Sequence, residues 1–225
     1  MLSKRLNAVA GMVTKGNIVA DIGTDHGYVP IYLIKNKISP LAYAMDINEG
    51  PIKIAKANIE REGFSDKIKV IQSDGMEKFT SGMAESVIIA GMGGELIVNI
   101  LKKSAVNDTV EEFILSPHKR LDLVRKFIIE NGWRIIKEDM IVDSGKYYTV
   151  LKAVKGVEKI PYSEEEYMYG RCLLDEKNNI LKEYLEKEYN KFKQIKDVMS
   201  DNNSEEMDRV TKKLECNRKG YKAYD

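Results

Sequence analysis

Apolar residues recur along this chain with two periods, and the switching between them lays out most of its elements. Leu2, Leu6, Val9, Ala10 and Val13 share one stripe at helical spacing, so the chain is expected to open with an amphipathic helix. Residues 18–22 form a short, nearly unbroken apolar run followed by glycine, the mark of a buried parallel strand turning into a helix. That helix is expected over 28–35. A second strand is expected over 41–46, and Pro51 suits the first turn of a helix carrying Ile52, Ala55 and Ile59. Alternation continues with strands over 67–72, 86–90 and 111–115 and helices over 95–102 and 121–130, the last stopped by Asn131-Gly132. Residues 133–142 and 147–154 read as two strands of a hairpin around Asp143-Ser144-Gly145-Lys146. Five helix-linked strands followed by a hairpin predict an α/β domain whose sheet is mostly parallel with one antiparallel strand.

Beyond Pro161 the pattern changes, with no strand-like run and no glycine between Gly170 and Gly220. Leu181, Leu185, Phe192, Ile195 and Met199 follow a heptad seam that Glu188 interrupts, with Tyr189 as its substitute. Asp201-Asn202-Asn203-Ser204 reads as a break, after which Met207, Val210, Leu214 and Tyr221 resume the spacing. The expectation is a doubly wound domain over 1–161 and a small antiparallel helical hairpin, coiled-coil-like, over 162–225.

The ends of the strands carry the candidate chemistry. Asp21 with Gly23 and Gly27, Asp46, Asp74 with Gly75, and Ala90-Gly91-Met92-Gly93-Gly94 each follow a strand, and parallel strand ends converge on one crevice. Asp46 lies where a doubly wound domain holds ribose hydroxyls. A pyrophosphate cofactor needs bare backbone N–H groups at the first turn, whereas Asp21 and Asp25 would repel it and a full Gly-x-Gly-x-x-Gly is absent. S-adenosylmethionine carries an ammonium and a sulfonium instead of phosphate, so acids beside a glycine turn suit it. Two plainer readings stand beside these: Asp21 and Asp25 as helix caps, and Gly91, Gly93 and Gly94 as close-packing residues.

Composition adds less. The 225 residues carry 36 Lys and Arg against 35 Asp and Glu, a net charge of +1 that does not by itself announce a nucleic-acid partner. The distribution is uneven, for Arg209, Lys212, Lys213, Arg218, Lys219 and Lys222 cluster against a single acid, Glu215. Such a cluster is either a phosphate footprint or a solvated helix face complementing its dipole. No apolar run approaches a membrane span, the N-terminus lacks a secretory pattern, and Cys172 and Cys216 have no metal-site spacing. A cytoplasmic protein with no membrane partner and no metal is expected.

The run Val19-Ala20-Asp21-Ile22-Gly23-Thr24-Asp25-His26-Gly27-Tyr28-Val29-Pro30, with Asp46, Asp74-Gly75 and Ala90-Gly91-Met92-Gly93-Gly94, resembles the bacterial tRNA (adenine(22)-N1)-methyltransferase family. The likeness extends to the opening Leu2-Ser3-Lys4-Arg5-Leu6 and to residues 125–142, and covers nearly the whole chain. It implies a class I Rossmann-like methyltransferase domain with a C-terminal coiled-coil-like domain, using S-adenosylmethionine on N1 of an adenine in tRNA. Asp21, Gly23 and Gly27 would hold the methionine end of the cofactor, Asp46 its ribose hydroxyls, Asp74 and Gly75 its adenine, with Gly91 and Met92 near the methyl group and Ile47 and Ala90 also touching the cofactor. Asp25 and His26 are the catalytic candidates, His26 equally suiting a structural hydrogen bond in the turn. Tyr28, Lys4, Arg5, Lys212, Lys213, Arg218 and Lys219 are expected to meet tRNA, with the protein acting as a monomer. Ser116-Pro117-His118 departs from the family's Gln-Pro-Asn. Two other functions stay open at this stage: methylation of a protein or small molecule, and a non-catalytic RNA-binding scaffold.

Overall fold

A computed structural model describes residues 2–104, 109–199 and 204–225. The chain forms two compact units, Met1–Glu158 and Lys159–Asp225. Composition put the boundary at Pro161; the chain changes units earlier because Arg171 donates to the carbonyls of Ile160 and Pro161 and ties them to the helical unit.

In the first unit, α1 (Lys4–Gly11) starts at Ser3, whose hydroxyl accepts the Leu6 N–H. Then follow β1 (Val19–Ile22), α2 (Tyr28–Lys35), β2 (Ala42–Asp46), α3 (Glu49–Arg61), β3 (Ile68–Gln72), β4 (Ser86–Ala90), α4 (Gly94–Lys103), β5 (Glu112–Ser116), α5 (Leu121–Glu130), β6 (Trp133–Asp143) and β7 (Lys146–Lys155). These make one seven-stranded sheet in the order β3-β2-β1-β4-β5-β7-β6. Neighbours from β3 to β5 pair in parallel, and β7 is antiparallel to both β5 and β6, so it alone runs against the rest. The hairpin turn is tight because Ser144 and Gly145 both take positive φ, of 51° and 76°.

Burial explains the sequence pattern. Strands β1 and β5 are buried at every position and therefore lack alternation. On one face, Val9, Ala10, Met12 and Val13 pack with Val29, Leu33, Ile88, Ile114 and Val150. Helix α2 is apolar almost all round because its other side, Ile31 and Ile34, packs with Ala55 and Ile59 of α3. Phe113, adjacent to Ile114 and so on the opposite face, lines a cleft with residues of α4 and α5, among them Leu101 and Ile128.

The second unit is more than a hairpin. Helices α8 (Asn179–Val198) and α9 (Ser204–Tyr221) pack antiparallel, shown by the contacts Tyr221–Glu186, Asn217–Glu188 and Lys213–Phe192 running in opposite directions along the two. Ahead of them lie α6 (Glu164–Tyr169) and α7 (Arg171–Asp175), too short for periodicity to reveal. The expected break at Asp201-Asn202-Asn203 lies outside the described residues. Glu188 interrupts the seam for a reason: it accepts from Tyr169 and Tyr184 hydroxyls at 2.7 and 3.0 Å and from the buried Asn217 amide at 3.1 Å. Gly220 lets Tyr169 approach α9, since a Cβ there would sit 2.9 Å from its ring.

At the edge of the sheet where the parallel strands begin, Glu112 gathers α1, β4, β5 and β7. It is 3 % exposed and accepts the Thr14 N–H at 2.8 Å, the Thr14 hydroxyl at 2.6 Å and the Ser86 hydroxyl at 2.8 Å, and pairs with Lys152 at 2.7 Å. Burial alone would push its carboxyl up, but Lys152, Thr14 and Ser86 together hold it below the usual Glu value. A depressed folded pKa gives stability that is present above the unfolded value and lost as pH falls through the folded one. Glu112→Gln is therefore expected to lower stability at pH 7 by on the order of 3 kcal/mol, with the gap to wild type closing on acidification below pH 4.5, the ordinary Glu value. Thermal unfolding of both proteins across that range checks this; a gap independent of pH would show that the network is not electrostatic.

Candidate functional site

The strand order reverses between β1 and β4, so the helices that follow them leave to opposite faces and a crevice opens over their carboxyl ends. Because β7 is antiparallel, its first residues and the last ones of β6 arrive at the same edge. The crevice is thus lined by the ends of β1, β2, β4 and β5 and by the hairpin.

The first turn is built by backbone geometry. Gly23 (φ 77°) and Thr24 both donate to the Met45 carbonyl, at 2.7 and 3.0 Å, pinning the turn to the end of β2. A Cβ at Gly23 would collide with the Met92 methyl group, so glycine is what allows Met92 to lie over this turn. Gly27 serves another purpose: at φ 73° it opens α2 and lies against Ala55, 3.3 Å from where its Cβ would be. Close packing of α3 is thereby one of its tasks.

Neither Asp21 nor Asp25 caps α2, whose N-cap Gly27 receives no side-chain bond. Asp21 is 5 % exposed at the centre of the crevice. Its burial pushes its carboxyl up to about 6, with the Thr24 hydroxyl opposing, Asp46 reinforcing and Arg5 opposing. Asp25 is exposed, at φ 48°, with its carboxylate 3.4 Å from His26 Nε2. His26 is held through its carbonyl by the Asn58 amide at 3.0 Å, while its buried Nδ1 has no hydrogen-bond partner among the described residues. Tyr28, half exposed, has its ring centroid 5.3 Å from that imidazole.

At the end of β2, half-buried Asp46 accepts the Asn48 N–H through Oδ1 at 2.8 Å. Beside it Ile47 is 53 % exposed. Asp74 is exposed, 3.8 Å from Lys103 Nζ. Gly75 (φ 52°) packs on α4, 3.0 Å separating its would-be Cβ from Ile100.

The glycines after β4 divide by task. Gly94 is a packing residue, since a Cβ there would strike the Arg120 carbonyl, and Gly93 faces open space at the start of α4. Gly91 (φ 84°), following Ala90, faces the Arg5 guanidinium and His118, whose Nη1 and Nε2 lie 3.4 and 3.7 Å from its would-be Cβ. Its N–H donates to the Ser116 carbonyl at 3.0 Å, and the His118 N–H to the Met92 carbonyl at 2.8 Å. Burial, Arg5 and Lys146 outweigh the Gly91 backbone and hold His118 below the ordinary imidazole value.

Lys4 and Arg5, both expected to meet tRNA, differ in exposure. Lys4 is exposed, but Arg5 is half-buried at the crevice, over the Tyr148 ring at 5.5 Å. Tyr148 also meets His118, centroid to centroid at 5.8 Å. Sequence reading missed Tyr148 and treated the hairpin as sheet alone; the antiparallel direction of β7, itself legible, places its early residues at the crevice. Lys212, Lys213, Arg218 and Lys219 belong to the second unit, all four exposed on α9.

The set has a definite chemistry. A buried acid suits a cationic group, a half-buried acid suits paired hydroxyls, and an exposed isoleucine suits a flat ring. S-adenosylmethionine has each of those features.

Comparison with known proteins gives the same direction. Residues 2–151 match the methyltransferase domain family. The tRNA (adenine(22)-N(1))-methyltransferase of Bacillus subtilis is 36 % identical over 184 residues, 80 % of this chain and 77 % of that one. A Streptococcus pneumoniae protein solved in complex with S-adenosyl-L-methionine is similar with a TM-score of 0.90 at 31 % identity, over 98 % of this chain and 100 % of that one. TrmK of M. capricolum, solved with S-adenosyl-homocysteine, has a TM-score of 0.89 at 30 % identity over 99 % of both chains.

The raised Asp21 yields a stability prediction for the ligand-free protein. Its folded pKa, about 6, exceeds the ordinary 3.8, so its contribution is fully favourable below 3.8 and is lost as pH rises through 6. That displacement corresponds to roughly 3 kcal/mol. Asp21→Asn should raise the melting temperature at pH 8, with the gain vanishing towards pH 4; a variant no more stable than wild type at pH 8 would mean that the carboxylate is already well compensated.

Proposed function

The chain belongs to the tRNA (adenine(22)-N(1))-methyltransferase family, and we propose that it transfers the methyl group of S-adenosylmethionine to N1 of an adenine in tRNA, adenine 22 as in the name of the Bacillus relative. The observation that carries the reading is the buried Asp21 beside half-buried Asp46 on a glycine-turned floor, an arrangement hostile to phosphate and suited to a cationic nucleoside.

Bound there, S-adenosylmethionine supplies an electrophilic methyl group on a sulfonium. Asp21 would attract its ammonium, Asp46 would accept from its ribose hydroxyls, and Ile47 and Asp74 would flank its adenine. Gly23, Ala90, Gly91 and Met92 would line the channel between the ligands. N1 lies on the Watson–Crick edge of adenine, so the target base must be unpaired to be reached. Orientation and exclusion of water can supply most of the rate, with no covalent intermediate. Methylation leaves the base cationic, which Asp25 would stabilise, and the neighbouring His26 would accept a proton from the exocyclic amine. Tyr28 offers a ring for stacking at the same turn.

For tRNA, the supporting observation is the exposure of Lys212, Lys213, Arg218 and Lys219 on α9. Arg218 also donates to the Tyr189 hydroxyl and Lys213 lies over Phe192, so their positions are partly fixed. Lys4 would add a contact from α1. We read the protein as a cytoplasmic monomer; among the described residues no helix is long and apolar enough to cross a membrane.

The decisive experiment is incubation with labelled S-adenosylmethionine and unmodified tRNA transcript. Label is expected in the transcript and not in one with guanine at position 22; label in protein or small molecules alone would replace tRNA as substrate. Asp46→Ala should weaken S-adenosylhomocysteine binding, since each charged hydrogen bond lost is worth about 1.5–3 kcal/mol; unchanged affinity by calorimetry would remove Asp46 from the site. Replacing Lys212, Lys213, Arg218 and Lys219 by Gln should flatten the salt dependence of tRNA binding by roughly 0.7–0.9 in log–log slope per lost phosphate contact and leave cofactor affinity intact. A wild-type slope would show those charges to be solvated surface.

A further inference from the structure

Arg5 is placed for a task other than gripping tRNA. Its guanidinium lies half-buried on the crevice side of α1, 3.4 Å from where a Gly91 Cβ would be, and its Nη1 is buried without a hydrogen-bond partner among the described residues. The backbone N–H of Arg5 donates to Asp143 Oδ2 at 3.1 Å, while among the described residues no carboxylate is paired with its guanidinium. Tyr148 supports the guanidinium through its ring at 5.5 Å and is itself braced by His118. A cation fixed in this way, with a buried and unused donor, awaits an anion.

Across the glycines stands Asp21, close enough to feel the Arg5 charge and yet not paired with it. Gly91 lies against Arg5, and Gly23, two residues past Asp21, lies against Met92. One acid and one cation held apart at the strand ends match a group bearing both charges on one carbon, the α-amino-acid zwitterion. A phosphate of tRNA would fit worse, since it would bring negative charge beside Asp21.

We propose that Arg5 anchors the carboxylate of the methionine end of S-adenosylmethionine, with Asp21 on the ammonium of the same group and Gly91 keeping the gap between them open. The inference rests on the cofactor reading above and deepens it. Planar, forked donors favour arginine here, because a carboxylate is met by two parallel N–H groups. Lysine would keep the charge and lose the fork.

Calorimetric titration of wild type, Arg5→Gln and Arg5→Lys with S-adenosylhomocysteine, and displacement titration with 5′-methylthioadenosine, which lacks the amino-acid group, test it. Arg5→Gln is expected to lose tenfold or more in affinity for S-adenosylhomocysteine and nothing for 5′-methylthioadenosine, with Arg5→Lys between. Wild-type affinity of Arg5→Gln for S-adenosylhomocysteine overturns the anchor alone. Equal losses for both ligands also overturn it, for then the substitution has disturbed the crevice. A wild-type protein that does not bind S-adenosylhomocysteine overturns the cofactor reading and the anchor with it.

Discussion

Everything at the crevice depends on the reversal of strand order between β1 and β4. Parallel strands need crossover helices, and when successive crossovers leave to opposite faces no helix covers the strand ends between them. The uncovered backbone must turn sharply there, which is why Gly23 and Gly91 take positive φ at neighbouring strand ends. Polar residues gather at this edge because it is where buried strands meet solvent. The opposite edge is closed by charge instead, Glu112 and Lys152 joining the loop after α1 to the starts of β4 and β5 and to β7.

Glycine illustrates how one residue type answers different physical demands within a single site. Gly23 makes room for the Met92 side chain and Gly91 for the Arg5 guanidinium, whereas Gly27, Gly75 and Gly94 bring helices or backbone into contact. The first pair meets side chains of the crevice directly. The packing glycines act at one remove: Gly27 seats α3 against the first turn, and Asn58 of α3 then holds the His26 carbonyl.

Electrostatics separates the two units as well. In the crevice, Asp21 is buried with little compensation, the arrangement found where a binding partner supplies the missing charge. In the helical unit, Glu188 is satisfied by Tyr169, Tyr184 and Asn217, and burial together with that carboxylate holds both phenols well above the ordinary tyrosine value. The first acid is poised for a ligand. The second fixes helix register, since moving α9 by one turn would part buried Asn217 from half-buried Glu188.

Local periodicity determined most of the architecture. Helices α2 and α5 begin and end where their patterns do, and the single antiparallel strand follows from a hairpin appended to helix-linked strands. The convergence of Asp21, Asp46 and Gly91 was equally legible, because carboxyl ends of parallel strands share an edge whatever the details. What sequence could not supply was direction and distance between side chains. Whether a glycine faces a ligand or a helix depends on a neighbour dozens of residues away, as Gly75 meets Ile100 and Gly27 meets Ala55. Likewise Arg5 and Lys4 are adjacent cations in sequence, and only the packing of α1 against the hairpin puts one in solvent and the other beside Tyr148 and Gly91. Periodicity reports which face of an element is apolar; the partner that each polar group meets is chosen by long-range packing, which no local window contains.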